Sequence, residues 1–182
     1  MNPVDRAALL GIARAAVRHR LGVGPAPALP AEGPLCEPRG AFVTLRVKGE
    51  LRGCVGTLSP DGPLARTVQR MAAAAAAEDP RFRPVRPEEL DDLDLTVSAL
   101  GERRRMHDPA EIEVGRHGLV VQLGWQRGTL LPQVAVEEGW DALTFLERTC
   151  LKAGLPPQAW RDPETVVELY PAEEIPGGGA GA

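Results

Sequence analysis

The 182-residue chain predicts an α+β fold, a largely antiparallel sheet with helices packed on it. Three observations carry the prediction. Residues 41–47 and 93–100 alternate apolar and polar side chains, the period of two that places successive side chains on opposite faces of a strand. Residues 4–19 and 64–77 instead carry apolar stripes at the 3.6-residue spacing of amphipathic helices. Finally, 41–77 and 119–153 each run as two strands followed by a helix, without repeating one another in sequence. With 43% apolar residues, the chain can fold without staples as one domain or two small lobes sharing a core.

Taken in order, the first helix repeats Leu9, Ile12, Ala13, Ala16 and Val17 on one face and closes at Gly22. Residues 22–34, GVGPAPALPAEGP, hold too much Pro and Gly for a regular element and read as an extended connector laid over the surface. A hairpin follows. Ala41, Val43, Leu45 and Val47 share a face, Lys48-Gly49-Glu50 makes the turn, and residues 51–57 return. Strict alternation then puts Leu51, Gly53, Val55 and Thr57 on one face and Arg52, Cys54 and Gly56 on the other. Asp61 is available to cap a helix whose Leu64, Val68, Met71, Ala72 and Ala75 form a stripe, and whose alanine run permits close approach to the sheet.

Pro80 ends that helix, and Glu78-Asp79-Pro80-Arg81-Phe82 is a break where Asp79 and Arg81 can pair at the surface. A helical turn at 87–90 leads to the strand 93–100. Arg103-Arg104-Arg105 reads as a solvated loop. Gly115-Arg116-His117-Gly118 joins 112–114 to a strand at 119–123, and a turn at 124–128 carrying Trp125 sends 129–131 back before Pro132. Asp141 caps a helix with Leu143, Leu146, Glu147 and Cys150 on one face, ending at Gly154. A closing strand occupies 166–170. The domain spans 1–175, and 176–182, PGGGAGA, reads as a flexible tail.

Composition excludes several functions. A net charge of −4 argues against bulk electrostatic binding of nucleic acid. Three scattered cysteines suit a reducing compartment, and three scattered histidines give no metal-ligand spacing, so no metal or cofactor is expected. No apolar run approaches a membrane span and the N-terminus lacks the order of a secretory signal, so a cytoplasmic protein is expected. Neither a GxGxxG fingerprint nor a GxxxxGK[ST] loop is present, which disfavours nicotinamide, flavin or ATP chemistry.

The site candidates centre on Cys54. Arg52 on the same strand face would favour the thiolate, and Gly53 and Gly56 would leave the backbone open to another molecule. A packed core thiol is the competing account. His117 could carry a proton, or could only hydrogen-bond within its turn.

LRGCVG, residues 51–56, resembles the LRGCIG signature of the AMMECR family, called AmmeMemoRadiSam system protein A in prokaryotes. The resemblance continues through AEDPRF at 77–82, EVGRHGL at 113–119, LLPQVAVE at 130–137, GWDALTFL at 139–146 and CLKAGLPPQAW at 150–160. Val55 in place of isoleucine and Arg83 in place of proline are the departures. The resemblance implies a compact two-lobed arrangement with the signature strand near a groove between lobes. It raises Asp79, Arg81, Arg116, Gln133, Glu137 and Trp140 to binding candidates beside Cys54, Arg52 and His117 as the catalytic ones. It also implies two partners, a Memo-like protein and a radical S-adenosylmethionine protein. Three functions are compatible: an enzyme or enzyme-system subunit using Cys54, a non-catalytic protein binding a small molecule, nucleotide or RNA, and an adaptor.

Overall fold

The computed structural model describes residues 1–59 and 61–178. In chain order it contains α1 (Pro3–Arg20), β1 (Ala41–Val47), β2 (Glu50–Thr57), α2 (Leu64–Ala77), β3 (Leu93–Leu100), β4 (Arg104–Arg105), β5 (His117–Leu123), β6 (Gln126–Leu130), α3 (Pro132–Glu137), α4 (Ala142–Lys152) and β7 (Val166–Pro176). All registered strand pairs are antiparallel, as the α+β reading requires. The chain divides into two compact units, residues 1–100 with 173–182, and residues 101–172.

The first unit has strands in the order β2-β1-β3, with the end of β7 beside β3. Its core joins Leu9, Ala13, Ala16 and Val17 of α1 and Leu64, Val68, Ala72 and Ala75 of α2 to Ala41, Val43 and Leu45 of β1 and Leu95, Val97 and Ala99 of β3. Burying each larger aliphatic side chain contributes roughly 1.5–3 kcal/mol, more than the few tenths separating helix propensities, so packing holds these helices. Asn2 caps α1 through the Asp5 amide. Asp61 does not cap α2: the cap position is Pro63, and no side chain makes a capping hydrogen bond there. The connector after Gly22 is free of helix and strand until Leu35 inserts into the core from a short 3-10 turn at Pro34–Cys36.

The β1–β2 hairpin closes with two residues, Lys48 and Gly49, both at positive φ (52° and 86°), the pattern that matches strand twist. Its register then shifts: Arg46 faces Leu51, but Leu45 faces Gly53, so Arg52 is an extra residue, a β-bulge. The bulge decides where the thiol goes. A regular hairpin from this turn would pair Thr44 with Gly53 and Val43 with Cys54, sending Cys54 to the core face. The shift instead pairs Thr44 with Cys54 and Val43 with Val55. Alternation therefore fails at Leu51, which lies opposite Arg46 and not with Gly53 and Val55 as the sequence period suggested.

In the second unit the order is β6-β5-β7-β4. Leu119, Val121, Phe145, Leu146, Cys150 and Leu169 form its core. Residues β4 and α3 are too short to show a period, and the sequence reading missed both. Arg103 and Arg104 are not merely solvated: they pair with Glu168 (2.8 Å) and Glu111. On α4 the cap is Asp141, whose carboxylate accepts from the Thr144 amide at 2.7 Å, but the buried face is Phe145, Leu146, Thr149 and Cys150 while Leu143 is exposed. The closing strand is longer than expected and includes Pro176, and Gly177 donates to the Leu95 carbonyl at 2.7 Å, so 176–178 are not a flexible tail. The remainder of that segment, 179–182, lies outside the described residues.

Candidate functional site

β2 is the edge strand of the first unit, so its outward N–H and C=O groups need partners. At Cys54 they find them in the break after α2. The Cys54 amide donates to Asp79 Oδ2 at 2.9 Å, and its carbonyl accepts from Arg81 Nη2 at 3.3 Å. Arg81 also grips Asp79 with Nε on Oδ1 (2.9 Å), Nη2 on Oδ2 (2.7 Å) and its own amide on Oδ1 (3.1 Å). Asp79 is 5% exposed, so its carboxylate is not the surface pair that the sequence alone suggested. First the Arg81 guanidinium, then the Cys54 and Arg81 amides hold that carboxyl well below the usual range, against the opposing effect of burial. The Arg81 guanidinium lies 5.3 Å over the Phe82 ring.

Because Cys54 bonds outward, it and Thr44 form the closer, non-hydrogen-bonded kind of antiparallel pair. Their side chains meet: Thr44 Oγ1 donates to Cys54 Sγ at 3.3 Å. Cys54 is half-buried, whereas Cys150 is buried and its thiol is pushed up by burial.

The Arg52 guanidinium makes its hydrogen bonds to other groups than that thiol. As the bulge residue it turns to Glu89, with Nε on Oε1 at 2.8 Å and Nη2 on Oε2 at 3.0 Å, and also donates to the Pro84 carbonyl at 3.0 Å. This bidentate pair ties β2 to the segment before β3 and depresses the Glu89 carboxyl. The glycines are also occupied from within. A Cβ on Gly53 would strike the Ala75 carbonyl of α2, and one on Gly56 would strike the Phe42 ring. They admit the protein's own helix and aromatic ring, which corrects the expectation of a backbone left open to another molecule.

The second unit holds the remaining candidates. His117 is 6% exposed; its Nδ1 accepts from the Glu113 amide at 3.1 Å and its own amide donates to the Glu113 carbonyl at 2.9 Å, closing a local turn. Only Nε2 is left for proton transfer. Arg116 pairs with Glu113 at 2.8 Å on the surface. Gln133 is half-buried and Glu137 exposed on α3, and Trp140 packs against the core with Arg148 at 5.4 Å over its ring. The sequence reading missed Thr44, Glu89 and Phe82 as site neighbours; only the hairpin register could have suggested Thr44, and the bulge conceals it. Among the described residues, no group of three or more His, Cys, Asp or Glu side chains could hold a metal ion. Among the described residues, no helix is long and apolar enough to cross a membrane.

Fold and site define an antiparallel α+β protein with an edge-strand cysteine clamped by an aspartate–arginine pair. The AMMECR1 family model matches residues 10–175, and the chain belongs to that family. It is 49% identical over 173 residues to a protein of Methanothermobacter thermautotrophicus, covering 91% of this chain and 90% of that one. It is 45% identical to a protein of Thermococcus gammatolerans, covering 91% and 86%. The crystal structure of the uncharacterized protein PH0010 from Pyrococcus horikoshii superimposes with a TM-score of 0.84 at 42% identity, covering 91% of this chain and 88% of that one.

Proposed function

We propose that this AMMECR1-family protein is an enzyme, or a subunit of an enzyme system, in which Cys54 is the reacting thiol. The clamp carries this reading: both backbone groups of Cys54 are held by Asp79 and Arg81, while the residue is half-buried and its sulfur receives the Thr44 hydroxyl. A stiff mount under a nucleophile keeps it aligned for attack. Arg81, rather than Arg52, is the cation of this site, since Arg81 Nη2 also bonds the Cys54 carbonyl whereas the Arg52 guanidinium bonds Glu89. A Memo-like protein and a radical S-adenosylmethionine protein are the partners we propose, the radical chemistry residing on the latter.

The test is iodoacetamide alkylation at pH 7, resolved by mass spectrometry with Cys36 as internal reference. We expect Cys54 to react roughly tenfold faster than Cys36, and Thr44→Val or Arg81→Gln to remove most of that advantage. Equal rates at the two cysteines would overturn the reading.

The Arg81–Phe82 stack supports a second reading, a nucleotide or RNA ligand stacked on the guanidinium without catalysis. Binding that weakens steeply with salt and disappears in Arg81→Gln, with Cys54→Ser unaffected, would select it.

A further inference from the structure

A cleft of about 430 Å³ lies between the outer side of α1 and the Pro-rich connector, in a part of the first unit that the Cys54 reading does not use. Its floor is small and apolar, formed by Ala8, Gly11 and Ala15, and its wall includes Pro27 and Pro30. A Cβ on Gly11 would meet no atom within 4 Å, so the floor opens directly into free space. The wall is also fixed in place. Leu35 anchors the end of the connector in the core, the Cys36 thiol donates to the Pro30 carbonyl at 3.3 Å, and the Leu64 amide donates to the Glu37 carbonyl at 2.9 Å.

The polarity of the lining is one-sided. Apart from Asp5 and Glu32, every lining side chain is Ala, Gly, Pro, Ile or Leu. Among the described residues neither carboxylate has an ion pair, and neither side chain takes part in a hydrogen bond. A cleft of this size, with apolar side chains and two carboxylates as its sole polar side chains, matches a ligand that is both cationic and aliphatic.

We propose that this cleft binds a small aliphatic di- or polyammonium compound, with its methylenes on the Ala8–Gly11–Ala15 floor and its ammonium groups on Asp5 and Glu32. Three N–H donors on each ammonium match acceptor-only carboxylates, and the chain's net charge of −4 favours approach of such a cation. An aromatic or anionic ligand finds neither a donor side chain nor a ring among the lining residues.

Calorimetric titration of the full chain with 1,8-diaminooctane, 1-aminooctane and 1-octanol at low ionic strength and pH 7 tests the proposal. Binding should rank diamine over monoamine over alcohol. Asp5→Asn and Glu32→Gln should each weaken the diamine roughly threefold to fivefold, the scale of an exposed ion pair. Gly11→Leu should abolish binding while leaving the circular dichroism spectrum intact and Tm unchanged or higher, because leucine is the better helix former. No diamine binding, octanol as tight as the diamine, an unaffected Asp5→Asn/Glu32→Gln double variant, or unaltered binding in Gly11→Leu would each overturn it. So would tighter binding of a short lysine-containing peptide than of the diamine, which would give the cleft to a protein segment.

Discussion

The β1–β2 and β5–β6 hairpins are built alike and used differently. Each turns in two residues, Lys48-Gly49 with both φ positive and Gly124-Trp125 with only the glycine positive. Each also places a glycine where a helix presses on the returning strand: Gly53 beneath the Ala75 carbonyl, and Gly128 beneath the Lys152–Ala153 peptide. In β6 the residue after that glycine, Thr129, spends its hydroxyl internally, donating to the Leu119 carbonyl at 2.8 Å and meeting the Tyr170 hydroxyl at 2.9 Å. In β2 the corresponding residue is the half-buried Cys54, whose backbone is bound to Asp79 and Arg81 and whose sulfur receives the Thr44 hydroxyl. The register of β5–β6 is regular, while β1–β2 carries the bulge that turns the thiol away from the core. One hairpin thus closes a core, and the other presents a functional group.

The comparison can be broken most severely at the glycines. Gly53→Ala and Gly128→Ala should each destabilise by about 1–3 kcal/mol in denaturant unfolding, because backbone of a packed helix must move. Next, Asp79→Asn should cost about 1–3 kcal/mol and also change Cys54 alkylation, whereas Thr129→Val should cost about 1 kcal/mol without touching that rate. If both variants alter the rate, the two hairpins are not functionally distinct. The Asp79 contribution has a defined pH sense. Its folded carboxyl is depressed, so its stabilisation is complete above the ordinary carboxylate value and is lost as pH falls through the depressed one. Acid titration followed by fluorescence should therefore show a shallower loss of stability in Asp79→Asn than in the parent.

Tyr170 gives the opposite sense. Burial pushes its hydroxyl up to about 12, so stability is intact below the unfolded value of ~10 and declines as pH rises toward the folded one. Absorbance at 295 nm should show Tyr170 ionising late and together with unfolding. The smallest effect belongs to Arg52→Gln: about 1 kcal/mol of stability from the lost Glu89 pair, and a Cys54 alkylation rate within twofold of the parent. A large drop in that rate would restore Arg52 to the site.

Much of this architecture is legible in the sequence because most elements are long enough to show a period. The stripes of α1 and α2 and the alternation of β1 and β3 are examples, and Asp141 announces α4. What escapes is shorter than a period or depends on partners distant in the chain. A bulge is a single extra residue, invisible to alternation, so the sequence period does not show that Arg52 is the inserted one. α3 spans six residues and β4 two, too few to repeat anything. The role of Asp79 depends on an amide 25 residues away, and DPRF by itself says only that a helix ends there. Gly53 and Gly56 could be read as openings from sequence because only the packed structure shows what fills the space.

The tie at Gly177 bears on how the protein can be handled. A chain truncated after Pro176 would strip the Leu95 carbonyl of its donor and the Arg14 guanidinium of its acceptors on Gly177 and Gly178, fraying the edge of β3. Affinity tags or fusion partners appended beyond position 178 would leave those attachments whole, whereas trimming the glycine-rich end back to Ile175 on the strength of its composition alone would not.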